Sequence, residues 1–522
     1  MRLGIDFGTT RTVVAAVDRG NYPVITFEAG DGGVYDWVPS LVALRADERR
    51  YGWDAWQKQQ EPDWILVRSL KRVLEDAGPA TELELGDTRV PLMALLRGMA
   101  ETLRTLILEH SSAGVKPGER LEAMLGVPAN ANSNQRFLTV EAFRAAGFDV
   151  LGLLNEPSAA SLEFGHKTRL SGRVLVYDLG GGTFDASLVE MDARSREVVA
   201  SEGIPTLGGD DFDQALASLA LEAAGVTEDV TQFTQAELFR LHEECRVKKE
   251  SLHPNTRKIA VDLDVAREGL GEVTVAVADY FERCRPMMDE TVHLVEDLLA
   301  AQGGAEIEAL YVTGGGSELP LVARVLRETF GRRVRRSAYT RSATAIGLAI
   351  QGDEQAGYVL REKFTRYFGV WREADEGRRM IFDPLFAKGA PLPVPGGDPL
   401  EIRRTYRPVH NIGHFRYLEC SHLGAKKEPR GDITAWDDIH FPFDPEARGE
   451  ADLAGVVVTH SVAAEEGHIE ERYAVDAGGA VTVTIREMNS GFGREYRLGR
   501  WAAKETAVAP GRKRRKERQA AM

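Results

Sequence analysis

Cysteine is scarce: Cys245, Cys284 and Cys420 are the only three in 522 residues. They are too few and too scattered for a disulfide framework or a zinc site. No apolar run approaches the length needed to cross a bilayer, so neither a membrane span nor a membrane partner is expected. The N-terminus passes directly into a strand-like run without an apolar leader, so export is not expected either. Excess positive charge is also missing: 80 acidic residues against 65 basic ones leave a net charge of −15. A general nucleic-acid binder needs a basic surface to neutralise phosphates, which sets that class aside. The expected setting is a reducing cytoplasm.

At 43% hydrophobic content the chain is long enough to bury more than one core. Its most informative feature is a pair of turns. Leu3-Gly4-Ile5-Asp6-Phe7-Gly8-Thr9-Thr10 leads into Thr12–Val17, and Val174–Asp178 runs through Leu179-Gly180-Gly181-Gly182-Thr183-Phe184-Asp185 into Ser187-Leu188-Val189. The two aspartates stand about one domain's length apart. Gly and Thr in such a loop turn backbone N–H groups inward as an anion nest, with hydroxyls beside them. An aspartate at the strand end is placed to hold a hydrated metal or a water against the anion. Both segments run from strand into strand, unlike a P-loop or a dinucleotide fingerprint. One copy alone also fits an ordinary glycine-rich hairpin, the less favoured of the two readings. Two copies in the same Asp–Gly–Thr order point to a polyphosphate gripped from both sides.

The order of segments resembles the DnaK-type (seventy-kilodalton heat-shock) chaperones of the actin-like ATPase superfamily. Besides the two phosphate loops, Gly126-Val127-Pro128 with Asn134-Gln135-Arg136, and Leu153-Leu154-Asn155-Glu156-Pro157, resemble that family's connecting segments. Ile204–Asp213 is similar to its hinge turn, and Val312-Thr313-Gly314-Gly315-Gly316-Ser317-Glu318 to its adenosine loop. The resemblance implies ATP/ADP and Mg²⁺ as cofactors and ATP hydrolysis as the activity. By the same resemblance Asp6 and Asp178 hold the magnesium through water. Gly8, Thr9, Thr10, Arg11, Gly180, Gly181, Gly182 and Gly209 meet the nucleotide, and Lys71, Glu156, Asp178, Thr183 and Asp185 form the catalytic set. Arg246, Lys249 and His253 would face the nucleoside, together with Gly314, Gly315, Gly316, Ser317 and Glu318. The family usually places Glu, Lys and Ser where Arg246, Lys249 and His253 stand, an Arg at Glu318 and an Asp at Arg341. Those swaps either rearrange the bonds to ribose and adenine or merely exchange surface charges.

Leu92, Leu95, Leu96, Met99, Leu103, Leu106 and Ile107 mark one face of a helix. Further helices are expected around Leu216–Ala224 and from Leu238 through Cys245 to Leu252, ending before Pro254. Alternating strands and helices around two related loops imply an α/β fold, a two-lobed actin-like ATPase domain over 1–352. A linker follows over 353–366, and Tyr358, Val359 and Leu360 in it, with Pro128 and Arg136, resemble the family's interdomain coupling residues. Helix periodicity fades beyond it. Strand-like runs at Val456–His460 and Ala480–Ile485, punctuated by Pro and Gly, predict a mostly β, sandwich-like domain over 367–503. That domain resembles the family's β substrate-binding subdomain for unfolded or extended peptides.

A basic tail, 504–522, carries the run Gly511–Arg518 and is expected to be a solvated, disordered segment. The family's helical lid is missing from this reading, so bound peptide is expected to leave quickly. A J-domain co-chaperone and a nucleotide-exchange factor are possible partners, although Gly152 stands where many members carry an arginine that contributes to J-domain binding. The leading function is an ATP-dependent chaperone whose nucleotide state controls peptide binding. The alternative is a nucleotide-responsive binding or scaffold protein with little ATPase activity. A small-molecule kinase of the same superfamily is disfavoured by the C-terminal β domain.

Overall fold

The computed structural model describes residues 1–498 and 506–507, apart from 62, 75–76, 78–80, 87, 169, 227–232, 375–378, 394–396 and 477–478. The basic run Gly511–Arg518 therefore lies outside the described residues. The chain forms two compact units, Met1–Thr365 and Arg366–Met522.

In the first unit two sheets repeat one plan. An antiparallel hairpin, Arg2–Phe7 with Arg11–Ala16, is flanked by the parallel strands Glu122–Val127 and Asp149–Asn155. The second hairpin, Gly172–Leu179 with Phe184–Met191, is flanked by Ala309–Thr313 and Val334–Arg336. On its other side this sheet adds the antiparallel strand Ser195–Ile204. Ala309–Thr313 is buried along its whole length, as expected of a parallel strand covered on both faces. Each sheet has its own apolar core, with Leu3, Ile5 and Leu125 in one and Leu175, Leu188 and Leu310 in the other.

The helix Leu92–Glu109 buries Leu92, Leu95, Leu96, Met99, Leu103 and Ile107, while Leu106 sits at the margin of that face. The helix expected from Leu216 begins at Gly209. The helix expected to reach Leu252 spans Gln235–Glu250 and stops at a Ser251 turn. Thr234 starts it with a capping box: its hydroxyl accepts from the Glu237 N–H at 3.2 Å, and Glu237 accepts from the Thr234 N–H at 2.7 Å. The linker contributes a strand. Val359–Arg361 pairs in parallel with Ser195–Ile204 at the edge of the second sheet, with Leu360 turned inward and Val359 and Arg361 outward.

The second unit is built from two sheets. One runs in the order Arg379–Phe386, Tyr367–Ala374, Ile412–Leu423, Pro429–Pro442. The other runs Leu400–Tyr406, Ile469–Val475, Val481–Glu487, Gly493–Leu498, Thr506–Ala507. Tyr417 from the first sheet meets Tyr473 from the second, hydroxyl to hydroxyl at 3.2 Å, both fully buried. Arg372 crosses in the same way to the buried carboxylate of Glu471 at 2.6 Å. One expectation is corrected here: Val456–His460 is not a strand. Val457 and Val458 are 76% and 50% exposed, and only His460 makes a bridge, an isolated one to His410. β-prone residues without a partner strand have no ladder to join.

Candidate active site

Both hairpin turns face one cavity of about 120 Å³ within the first unit. Asp6 and Asp178 are each the last residue but one of their strands, Arg2–Phe7 and Gly172–Leu179, so each carboxylate stands beside its own glycine–threonine turn. The second turn is held through its backbone to the start of the helix that begins at Gly209. The Gly209 N–H donates to the Gly180 carbonyl at 3.0 Å and the Asp210 N–H to the Gly181 carbonyl at 2.8 Å. A Cβ on Gly181 would lie 2.3 Å from the Thr10 hydroxyl. Glycine is therefore what lets the two turns approach this closely. Gly314, at φ +83°, has its own reason: a Cβ there would meet the Leu179 carbonyl at 2.3 Å and the Asp178 carboxylate at 2.4 Å.

Lys71 lies beneath the turns. It is 7% exposed and paired with Glu156, which opens the helix Glu156–Lys167 with Pro157 behind it. The short helix Leu70–Val73 that carries it is pinned from both sides. Ser69, in the left-handed region at φ 59°, donates to Asp210 at 2.8 Å. Arg72 donates to the Gly182 carbonyl at 3.0 Å and to Asp211 at 2.6 Å. Asp185 accepts from the Ala129 N–H at 3.0 Å and is the cross-strand partner of Asp178.

Four carboxylates, Asp6, Glu156, Asp178 and Asp185, thus surround one ammonium. Burial first, and then Glu156, push Asp6 and Asp185 up to about 7, against the opposing pull of Lys71. Burial and the same neighbouring carboxylates raise Asp178 well above its ordinary range. Burial works to lower Lys71, but Glu156 and Asp6 outweigh it and its pKa rises. This excess of negative charge under an anion nest suits a divalent cation. Among the described residues no three His, Cys, Asp or Glu side chains converge as direct ligands.

The far end of the cavity is an ion-pair cluster. Glu250 faces three guanidiniums: Arg11 at 2.6 Å, Arg246 at 3.0 Å and Arg341 at 3.4 Å. Burial opposes it, yet Arg11, Arg246 and Arg341 hold Glu250 down to about 2. Lys249 donates to the Gly209 carbonyl at 2.6 Å and pairs with Asp213 at 2.8 Å. Glu318 is taken up by Arg341 at 2.5 Å and by the Thr340 hydroxyl at 2.6 Å.

Gly8, Thr9, Thr10, Arg11, Gly180, Gly181, Thr183, Gly209, Arg246, Lys249 and Gly314–Gly316 line the cavity with Asp6, Lys71, Glu156 and Asp178. Four expected residues do not. Gly182 packs on Thr9 behind the lining, and Ser317 turns back to donate to the Gly314 carbonyl at 2.6 Å. Asp185 lies beneath, and Glu318 stands behind Arg341. His253 is a fifth and a plain correction. It is exposed in the turn after Ser251, because the helix ends before carrying it into the cleft. Glu250 and Asp213 were missed by sequence reasoning. The Arg246–Glu250 spacing of four on one helix is the signal that marks Glu250.

A second set links this site to the linker strand. Arg136 donates to the Asn155 side chain at 2.6 Å, and the Asn155 N–H donates to Glu362 at 3.1 Å. Asn155 directly precedes Glu156, so one peptide bond separates the Lys71 ion pair from the residue that holds the end of the linker. Pro128 is buried just before the helix Ser133–Ala145 that carries Arg136, with its carbonyl accepting from the Ala131 N–H at 3.0 Å. Neither Asn155 nor Glu362 stood out as a coupling residue in the sequence.

Known proteins resemble this chain over most of its length. The family model described as Hsp70 protein matches residues 109–363. A Chaperone protein HscA homolog of Pseudomonas fluorescens is 31% identical over 523 residues, covering 94% of this chain and 76% of the relative. A Chaperone protein HscA homolog of Pseudomonas aeruginosa is 31% identical over 375 residues, covering 68% of this chain and 58% of the relative. The Chaperone protein HscA of Serratia proteamaculans is 32% identical over 372 residues, with the same coverage of 68% and 58%. The chain belongs to the Hsp70 family, the ATP-dependent chaperones of the actin-like ATPase superfamily. Among the described residues no helix is long and apolar enough to cross a membrane.

Proposed function

We propose that the first unit binds ATP between its two glycine–threonine turns and hydrolyses it, and that the nucleotide state governs how the second unit holds extended peptide. The observation that carries this is Lys71, buried among Asp6, Glu156, Asp178 and Asp185 directly under both turns. A phosphoryl transition state spreads negative charge over its oxygens and needs donors and an oriented water more than covalent help. Backbone N–H groups of the turns, with the Thr9, Thr10 and Thr183 hydroxyls, supply the donors. Lys71 orients the water and balances developing charge, while Glu156 and Asp185 hold Lys71 in place. Asp6 and Asp178 would hold magnesium through its water shell, and the ion would neutralise phosphate charge.

Coupling in this reading passes from Glu156 through Asn155 to Glu362 and the Val359–Arg361 strand. A strand at a sheet edge with one inward side chain is a two-state element whose docking a nucleotide can bias. J-domain and nucleotide-exchange partners fit the reading, as does a cytoplasmic setting, supported by three buried free cysteines. The second reading, a nucleotide-responsive scaffold with little turnover, is favoured by the far end of the cavity. There Arg11, Glu250 and Arg341 meet, and the remaining 120 Å³ is below the roughly 300 Å³ at which ligand pockets usually begin. Measuring ATP binding and single-turnover hydrolysis for wild type and Lys71→Ala separates the two. The ATPase reading expects binding in both, with hydrolysis at least about a hundredfold slower in the variant. Equal rates would remove Lys71 from the mechanism.

A further inference from the structure

The second unit contains a larger cavity, about 650 Å³, where the edge strand Leu400–Tyr406 faces Tyr367–Ala374 and Arg379–Phe386. Ile412, Phe415 and Phe443 are buried along it. Met380, Val409 and Val458 line it too and are 40%, 46% and 50% exposed, so apolar surface reaches solvent at its mouth. The failed strand at Val456–His460 is one source of that surface.

Its charges are unevenly matched. Arg372 and Arg404 are neutralised by Asp383, at 2.8 and 3.0 Å, and Arg372 also by Glu471 at 2.6 Å. Arg407 and Arg416 line the cavity as well. Both are exposed, and neither makes an ion pair among the described residues. The nearby acids are otherwise engaged. Glu373 stands 3.6 Å from His410, and Asp438, the cross-strand neighbour of Arg416, is bonded by His414 at 2.7 Å. With Asp383 and Glu471 matched to Arg372 and Arg404, the lining leaves Arg407 and Arg416 without an ion pair among the described residues, in a chain whose net charge is −15.

We infer that this cavity takes extended segments that combine apolar side chains with aspartate or glutamate. The apolar groups seat on Phe415 and Phe443, and the carboxylates pair with Arg407 and Arg416. The inference rests on the chaperone reading and narrows its substrate class. Arginine suits the role because its planar fork matches a carboxylate bidentately. Acidic pairing at an exposed mouth acts more on selectivity and association rate than on total affinity, and it weakens with salt.

The test uses the full chain and three fluorescent peptides with one shared apolar centre and flanks of Glu, Ser or Lys. Anisotropy at low salt is expected to rank them Glu, Ser, Lys, with about tenfold between the extremes, and high salt is expected to shrink the gap. The double variant Arg407→Ser with Arg416→Ser is expected to abolish the ranking while the Ser-flanked peptide binds as before. Met380→Ser with Val409→Ser is expected to weaken all three. Equal binding of the three peptides, or preference for Lys, overturns the acidic assignment and leaves the chaperone reading standing. Binding of none of them overturns the chaperone reading and the inference with it.

Discussion

Removing the charge of Asp185 provides a test in which the structure sets both sign and size. Its carboxyl is 4% exposed and, through burial and Glu156, titrates at about 7 in the folded protein. In an unfolded chain it titrates near 3.9. A folded pKa above the unfolded one means that the native state binds the extra proton. The stabilisation is complete below about pH 4 and disappears as pH rises through about 7. Three pKa units correspond to about 4 kcal/mol over the whole range, and roughly 3 kcal/mol of that falls between pH 5 and pH 8.5. Asp185→Asn keeps an acceptor for the Ala129 N–H but can no longer ionise. The variant should match wild type below about pH 4, where Asp185 is neutral in both folded and unfolded states, and exceed it by roughly 1.5 kcal/mol at pH 5 and roughly 4 kcal/mol at pH 8.5. The assay is urea unfolding of nucleotide- and metal-free protein at several pH values, resolving the transition of the first unit. A stability difference that stays constant with pH would refute the buried, carboxylate-crowded site described for Asp185.

Other expectations follow from the same geometry. Asp178→Asn should weaken magnesium-dependent nucleotide binding by about 10–100-fold, seen by calorimetry with and without the metal; unchanged magnesium dependence would contradict a role for this carboxylate. Gly314→Ala forces a side chain onto a positive φ and into the Asp178 carboxylate, so it should destabilise the first unit by roughly 1–3 kcal/mol in thermal unfolding. Leu360→Asp puts a charge at a 4% exposed position and should release the linker strand; basal hydrolysis should persist while its response to peptide is lost. His253→Ala should leave nucleotide affinity within about twofold, since the side chain is exposed outside the cavity.

The phosphate end of the site was legible in the sequence because its chemistry is local. Each turn keeps its aspartate, glycines and threonines within a few consecutive residues, and strand patterns on both sides place them. Lys71 depended on its order among the other motifs, since nothing around it in the chain reveals the Glu156 partner. The nucleoside end was much less legible. Arg11 and Glu250 meet across 239 positions, a pairing that composition and periodicity do not encode. His253 misled for a related reason, because a helix that stops two residues short of the expected Leu252 leaves it in solvent. In the second unit, Val481–Glu487 alternates cleanly and formed its strand, whereas Val456–His460 had the propensity without a neighbour to pair with. The Val359–Arg361 strand is too short for its alternation to be read, and only its parallel partner Ser195–Ile204 defines it.

The central claim is that nucleotide turnover in the first unit responds to peptide in the second. Single-turnover hydrolysis of ATP by the full chain, with and without an excess of extended peptide, tests it most directly. Slow intrinsic hydrolysis that peptide accelerates several-fold is the predicted result, on the basis that the Glu156–Asn155–Glu362 connection transmits peptide binding to Lys71. Negligible hydrolysis with peptide present, or turnover that instead requires a small molecule to be phosphorylated, would contradict it.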